Sequence, residues 1–240
     1  MSDLRTRVLD YALLVKLALR WQLGRRAWLA PALALAWPAY QAFALLVGWT
    51  DSRFTPAEAQ NLLIGFPLNV IAIGLGVRII AGEIEQRTLE VTYTVPGGAR
   101  RVWLAKLLAA SLVLLAAGAL LAVVTVAFFT SYPPPALYGA LQGAVFYLAL
   151  ATGLGALLRS EITAALLAGI LLFLNGFVSG FGEVQHRWSP LFNPLAVRES
   201  DASNLLAWTI QSRIGMALTI LAIVALSCVR AERREQLLRI

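Results

Sequence analysis

Leu104-Ala-Lys-Leu-Leu-Ala-Ala-Ser-Leu-Val-Leu-Leu-Ala-Ala-Gly-Ala-Leu-Leu-Ala-Val-Val-Thr-Val-Ala-Phe-Phe-Thr130 carries one charged side chain, Lys106, and places it in the first turn. Positions 107–129 hold no charge, and their apolar residues fall on every face of a helix rather than on one stripe. A helix that is apolar all round belongs in a large core or in lipid. At about 1.5 Å per residue, roughly 20 such residues cross the ~30 Å hydrocarbon layer of a bilayer. Outward from this run lie further stretches at residues 28–49, 61–81, 137–158, 162–182 and 206–229, so six spans are expected.

The composition agrees. Of 240 residues, 59% are hydrophobic and 14% charged, and the mean hydropathy is +0.73; soluble domains carry about 25% charge. So few polar groups cannot cover a globule in water, and the apolar residues must face lipid. One cysteine excludes a disulfide framework, and the low charge excludes a disordered chain. The formal charge of +7 would ordinarily raise nucleic-acid binding, but its distribution is that of the positive-inside rule. The N-terminal segment, the loop after the second span, the loop after the fourth and the C-terminal tail together hold 15 basic residues, while the alternate loops hold only Arg53, Arg187 and Arg198. This predicts a multi-pass membrane protein with both termini cytoplasmic and no nucleic-acid partner, and the preference for arginine over lysine points to a prokaryotic cytoplasmic (inner) membrane.

Residues 1–27 are too charged to span. Leu4, Val8, Tyr11, Ala12, Val15, Leu19 and Leu23 recur at helical spacing against Arg5, Lys16 and Arg20, which suits a helix in the cytoplasmic headgroup layer. Leu9, Leu13 and Leu17 form a second apolar stripe, so the helix is expected to touch protein as well as lipid; the alternative is a solvated basic arm. The arginine-studded segment ahead of a full-length apolar run argues for retention rather than signal-peptide cleavage. The expected fold is an all-α integral membrane domain covering residues 1–240, with an interfacial helix (1–27), six spans (28–229) and a cytoplasmic tail (230–240). No internal repeat supports the two-halves plan of many secondary transporters.

The chemical inventory is short. His186, the single histidine, falls in an external loop and cannot alone build a zinc site or a Ser-His pair. Cys228 reads as a small apolar filler. No Asp or Glu stands in the interior of an expected span, which argues against ion-coupled transport, and neither lysine follows a glycine, which excludes a P-loop. The expectation is therefore a non-enzyme with no cofactor of its own. Gln41, Asn69, Thr125, Gln142, Asn175, Ser179, Gln211 and Arg213 are the polar interruptions, explicable by hydrogen bonds between helices or by a substrate path. Arg213 is expected to snorkel outward. Gly139/Gly143 and Gly176/Gly180 are GxxxG pairs that permit close helix approach. Asn69 and Asn175, with Phe66, Phe173 and Phe177 within about a turn, are expected to line a path between the second and fifth spans for a lipidic or amphipathic substrate.

The loop between the second and third spans is the most informative. Read as one helix from Glu83 to Val95, it puts Glu83, Arg87 and Glu90 on one face and Ile84, Thr88, Val91 and Val95 on another, before Pro96-Gly97-Gly98 stops it. Arg100, Arg101 and Lys106 are then expected to anchor the next span at the headgroups. A short amphipathic helix of mixed charge suits pressing against a soluble protein; the alternative is a solvated connection.

The run Glu85-Gln-Arg-Thr88-Leu89-Glu90, followed by Pro96, Arg100 and Lys106 at the head of an apolar helix, resembles the acidic-Gly-Thr-Leu-Glu, Pro, Arg, Lys pattern of ABC-2 type transporter permeases. Ser189-Pro-Leu-Phe-Asn-Pro194 is similar to the Pro-Asn-Pro stretch often found there, and Arg87 stands where that family usually has glycine. The resemblance implies a permease subunit of an ATP-binding cassette exporter in which Glu83, Ile84, Arg87, Leu89, Glu90 and Val91 form a coupling helix that docks on cytoplasmic ATPase subunits. It also implies a second permease copy or paralogue, with ATP and Mg bound by the ATPase partners. The external loop with Phe181, His186, Trp188 and Phe192 would dip back and cap the exit. The competing classes are a non-catalytic membrane scaffold or assembly subunit, and a membrane-embedded hydrolase, which the single histidine disfavours.

Overall fold

The computed structural model describes residues 2–24, 28–49, 54–94, 98–181, 188–197 and 203–232. Among them every regular element is helical: α1 (Ser2–Leu23), α2 (Leu29–Val47), α3 (Pro56–Glu85), α4 (Leu89–Thr94), α5 (Gly98–Phe128), α6 (Pro134–Leu158), α7 (Glu161–Phe181) and α8 (Leu205–Glu232), with a 3-10 turn at Pro194–Ala196. Among the described residues five helices are long and apolar enough to cross a membrane, over Pro56–Glu85, Gly98–Phe128, Pro134–Leu158, Glu161–Ser179 and Leu205–Arg230. The expected first span, 28–49, is instead a shorter apolar helix, with Pro38 inside it and Gly48 closing it at φ 78°.

Helices α3 and α6 form the central pair, and α6 also packs on α5, α7 and α8. Small residues let the two backbones meet. At Gly76 a Cβ would stand 2.6 Å from the Leu148 carbonyl oxygen and 2.8 Å from the Ala151 Cβ, so the approach requires glycine. The Thr152 hydroxyl lies 3.2 Å from the Gly76 carbonyl and 2.8 Å from that of Leu148, tying the pair across the seam. Around it Leu68, Ile79, Ile80, Trp103, Leu114, Leu121, Tyr147 and Leu148 are fully buried. On the outside Ile162, Leu166, Ile170, Leu206, Leu218, Leu221 and Leu226 are exposed. An apolar exterior around a small-residue seam is the inside-out pattern of a multi-pass membrane protein.

Two local features position the site. Helix α3 begins with a capping box, in which the Thr55 N–H donates to Glu58 Oε2 at 2.7 Å and the Glu58 N–H donates to Thr55 Oγ1 at 3.3 Å. It then widens into a π-helix over Ala59–Gly65. Pro67 follows, lacking an N–H and crowding the carbonyl four residues back, and the wider turn ahead of it accommodates both. At the other end, α3 stops at Glu85 and the single helix expected from Glu83 to Val95 is broken. The Thr88 N–H donates to the Glu83 carbonyl at 2.9 Å and the Arg87 N–H to that of Ile84 at 3.1 Å, with Arg87 at φ 56°. That is a Schellman stop with arginine in the left-handed position that favours glycine, and it removes the expected alignment of Glu83, Arg87 and Glu90.

Helix α1 lies against the first turns of α5: Val15 and Ala18 are buried on Ala105 and Ala109, with Tyr11, Leu14 and Leu19 beside them. Leu13 and Leu17 of the second stripe are exposed. Helix α1 and α4 therefore share one end of the bundle. The C-terminal half of α2 lies at the opposite end, where the Trp37 ring stands 4.6 Å from that of Phe66 and Leu45 packs with Phe54, Ala59 and Leu63.

Candidate functional site

At the α4 end, the root of the loop is clamped. The Glu83 carboxylate is 2% exposed and accepts from Trp103 Nε1 at 2.9 Å and from Lys106 Nζ. Lys106 Nζ also sits 4.1 Å from the Trp21 ring centroid, and the Gln22 side chain donates to the Lys106 carbonyl at 3.0 Å. One buried ion pair thus joins α3, α5 and α1. Two expectations need correction: Glu83 is turned inward rather than outward, and Lys106 pairs with it instead of anchoring at the headgroups. The cause is that α3 and α5 run side by side here, and a buried charge needs a hydrogen-bonded partner. Helix α4 folds back onto α5 through buried Thr92 and through Tyr93, whose ring stands 6.1 Å from that of Trp103, edge to face. Ile84 is half-buried, packed against the main core, and Arg87 is exposed. The side chains of Leu89, Glu90 and Val91 and all of His186 lie outside the described residues. Trp103 and Trp21 were not singled out from sequence; the spacing of Trp103 and Lys106, three apart on one helix face, was the available signal.

The bundle's other feature is a groove of about 740 Å³ between α3 and α7. Phe66, Asn69, Val70, Leu172, Phe173, Gly176 and Phe177 are among its walls, so four of the five residues expected to line a path share one surface. Asn175 is the exception: its Nδ2 donates to the Tyr147 hydroxyl at 3.1 Å, and its Oδ1 accepts from Ser189 Oγ at 2.9 Å. A carboxamide with both ends bonded between α6, α7 and the segment after α7 has a structural use.

That segment, Ser189 to Pro194, is a strap over the end of the groove. Ser189 Oγ also accepts from the Leu191 N–H at 3.0 Å, Asn193 Nδ2 donates to the Ala57 carbonyl at 2.8 Å, and Phe192 is buried at 2% exposure. Trp188 is exposed. Gln60 Nε2, from the π-helix, donates to the Phe192 carbonyl at 3.2 Å. Beneath the strap Arg213 is held rather than snorkelling: its Nη1 donates to Gln142 Oε1 at 3.1 Å, the Gln142 Nε2 donates back to the Arg213 carbonyl at 2.9 Å, and the Tyr138 ring lies 5.4 Å away. Of the GxxxG pairs, Gly139 and Gly143 face the Gln60, Arg213 and Asn69 side chains and the strap rather than another helix backbone across the membrane, and Gly176 opens on the groove.

Among the described residues no group of three or more His, Cys, Asp and Glu side chains could hold a metal. The arrangement defines a class, a multi-pass helical membrane protein with a clamped loop helix at one end and an apolar groove beneath a strap at the other. No family model, curated protein or solved structure matches the chain.

Proposed function

We propose that this chain is the permease subunit of an ATP-binding cassette exporter. In this reading α4 and both termini face the cytoplasm, two ATPase subunits supply ATP hydrolysis, and a second permease copy or paralogue completes the path. The observation that supports it best is the mounting of α4. A six-residue helix hangs between two long apolar helices, follows a Schellman turn at the position where the family usually has glycine, and is rooted in an ion pair shared with α3, α5 and α1. A push on such a lever reaches three helices at once, and rigid helices pass it on as a small rotation or shift. The position of the C-terminal half of α2 at the strap end, following α1 at the other, supports a sixth crossing, and the basic residues crowd the end that bears α1 and α4. The docking face comprises Ile84, Arg87, Leu89, Glu90 and Val91, with Glu83 holding it from behind. The groove of Phe66, Asn69, Phe173 and Phe177 serves as the substrate path.

The test is Glu90→Lys in the assembled complex. Reversal of charge on α4 should weaken copurification of the ATPase or uncouple hydrolysis from transport without changing the melting temperature of the bundle. Unchanged copurification together with unchanged transport would remove the docking assignment. A scaffold predicts no nucleotide-dependent change in either readout.

A further inference from the structure

The inner wall of the groove is not apolar throughout. Asn61, Asn69 and Leu191 line both the groove and a small notch behind it, which is completed by Gln60, Gly65, Gly139, Ala140, Gly143 and Pro190. The notch holds about 10 Å³, the room of one water or one hydroxyl. Two acceptor oxygens, Gln60 Oε1 and Asn69 Oδ1, are buried with no hydrogen-bond partner among the described residues, on side chains each 2% exposed. Buried carbonyl oxygens are rarely left so, because each has given up its water. The π-helix brings Gln60 here, where one N–H of its amide is held by the Phe192 carbonyl and its oxygen remains to be satisfied.

We propose that the groove and notch bind an uncharged amphiphile whose head carries hydroxyl groups, with the apolar part along Phe66, Phe173 and Phe177 and a hydroxyl hydrogen donated to Asn69 Oδ1 or Gln60 Oε1. The two buried oxygens left open are acceptors, so the group that satisfies them donates a hydrogen. An anionic head without a proton has no hydrogen to give either carbonyl oxygen, and the nearby Arg213 guanidinium is already engaged by Gln142 Oε1. An ammonium head would stand close to the Arg213 guanidinium, whose Nη2 is 2.7 Å from where a Gly139 Cβ would be. Among the described residues, no charged side chain lines either the groove or the notch. Glycine at 143 keeps the notch open: a Cβ there would lie 3.1 Å from the Pro190 carbonyl and 3.7 Å from Asn69 Oδ1. The proposal rests on the groove being the substrate path only for its meaning in transport; binding itself requires no ATPase.

The experiment uses the purified full chain in lipid nanodiscs, with empty nanodiscs subtracted, and tritiated 1-O-dodecylglycerol as the probe. Saturable binding is expected. The di-O-methyl ether, which lacks both donors, dodecyl phosphate and dodecylammonium should each compete at least tenfold more weakly than unlabelled probe. Gly143→Ala, which fills the notch, and Asn69→Leu, which removes an acceptor, should each weaken binding about tenfold, while Asn69→Asp, which keeps an acceptor oxygen, should bind better than Asn69→Leu. A melting temperature within two or three degrees of the parent certifies each variant as folded. Equal competition by the dimethyl ether, or unchanged affinity in folded Gly143→Ala and Asn69→Leu, would overturn the donor requirement. Stronger binding of the ammonium or phosphate compound would overturn the uncharged head. If binding behaves as expected while no ATPase associates with the chain, the exporter reading fails and this one stands.

Discussion

Replacing Lys106 by Met should cost the fold about 3–5 kcal/mol, the range for stranding one member of a buried ion pair. The structure supplies the reason: Glu83 is 2% exposed and has two donors, and the substitution leaves its carboxylate with the Trp103 N–H alone. Unit charges ~4 Å apart at an effective dielectric of about 20 attract by about 4 kcal/mol, which falls inside that range. The double variant Glu83→Gln/Lys106→Met should recover most of the loss, ending within about 1.5 kcal/mol of the parent, because a neutral carboxamide still accepts from Trp103 and the side chain of Met fills the lysine stem's space. Titration of the full chain with SDS in mixed micelles, followed by circular dichroism, reads all four corners of the cycle. A Lys106→Met cost below about 1 kcal/mol, or a double variant as unstable as the two singles summed, would refute the claim that this pair clamps α1, α3 and α5 together.

Three further outcomes follow from other parts of the fold. Arg87→Gly should stabilise the chain by about 0.5–1 kcal/mol, the relief of a left-handed arginine less the greater freedom of glycine in the unfolded chain, checked in the same titration. Gly76→Ala should destabilise by about 1–3 kcal/mol, since the added methyl meets backbone across the α3–α6 seam, and thermal unfolding would show it. In a Cys228→Ala background, cysteine at position 100 should react with an impermeant maleimide only from the cytoplasmic side and cysteine at position 53 only from outside, so the reverse pattern would invert the topology.

The apolar runs made the helices legible because a segment apolar on every face has few alternatives to lipid. Phe66, Asn69, Phe173 and Phe177, grouped by their depth in the second and fifth runs, share the walls of one groove. What it could not show was direction. Glu83 reads as an exposed acid in a charged loop, and only the pairing of α3 with α5 turns it inward onto Lys106. Asn69 and Asn175 look equivalent as lone carboxamides, yet among the described residues one has an oxygen with no partner and the other is bonded at both ends, a difference set by Tyr147 and Ser189, 28 and 14 residues away from Asn175. The break at Arg87 was hidden for a third reason. An arginine in the left-handed region goes against its own preference, and the Schellman bonds to Glu83 and Ile84 impose it.

The central claim is that α4 meets an ATP-binding cassette ATPase. A photo-reactive amino acid at Gln86 or Thr94, the exposed flanks of α4, activated in native membranes and followed by mass spectrometry of the adduct, tests it directly. The expected result is an adduct to a cytoplasmic protein bearing a Gly-x-x-x-x-Gly-Lys-Ser/Thr phosphate loop, in a complex that hydrolyses ATP. Adducts to lipid alone, or to a partner with no nucleotide site, would contradict it.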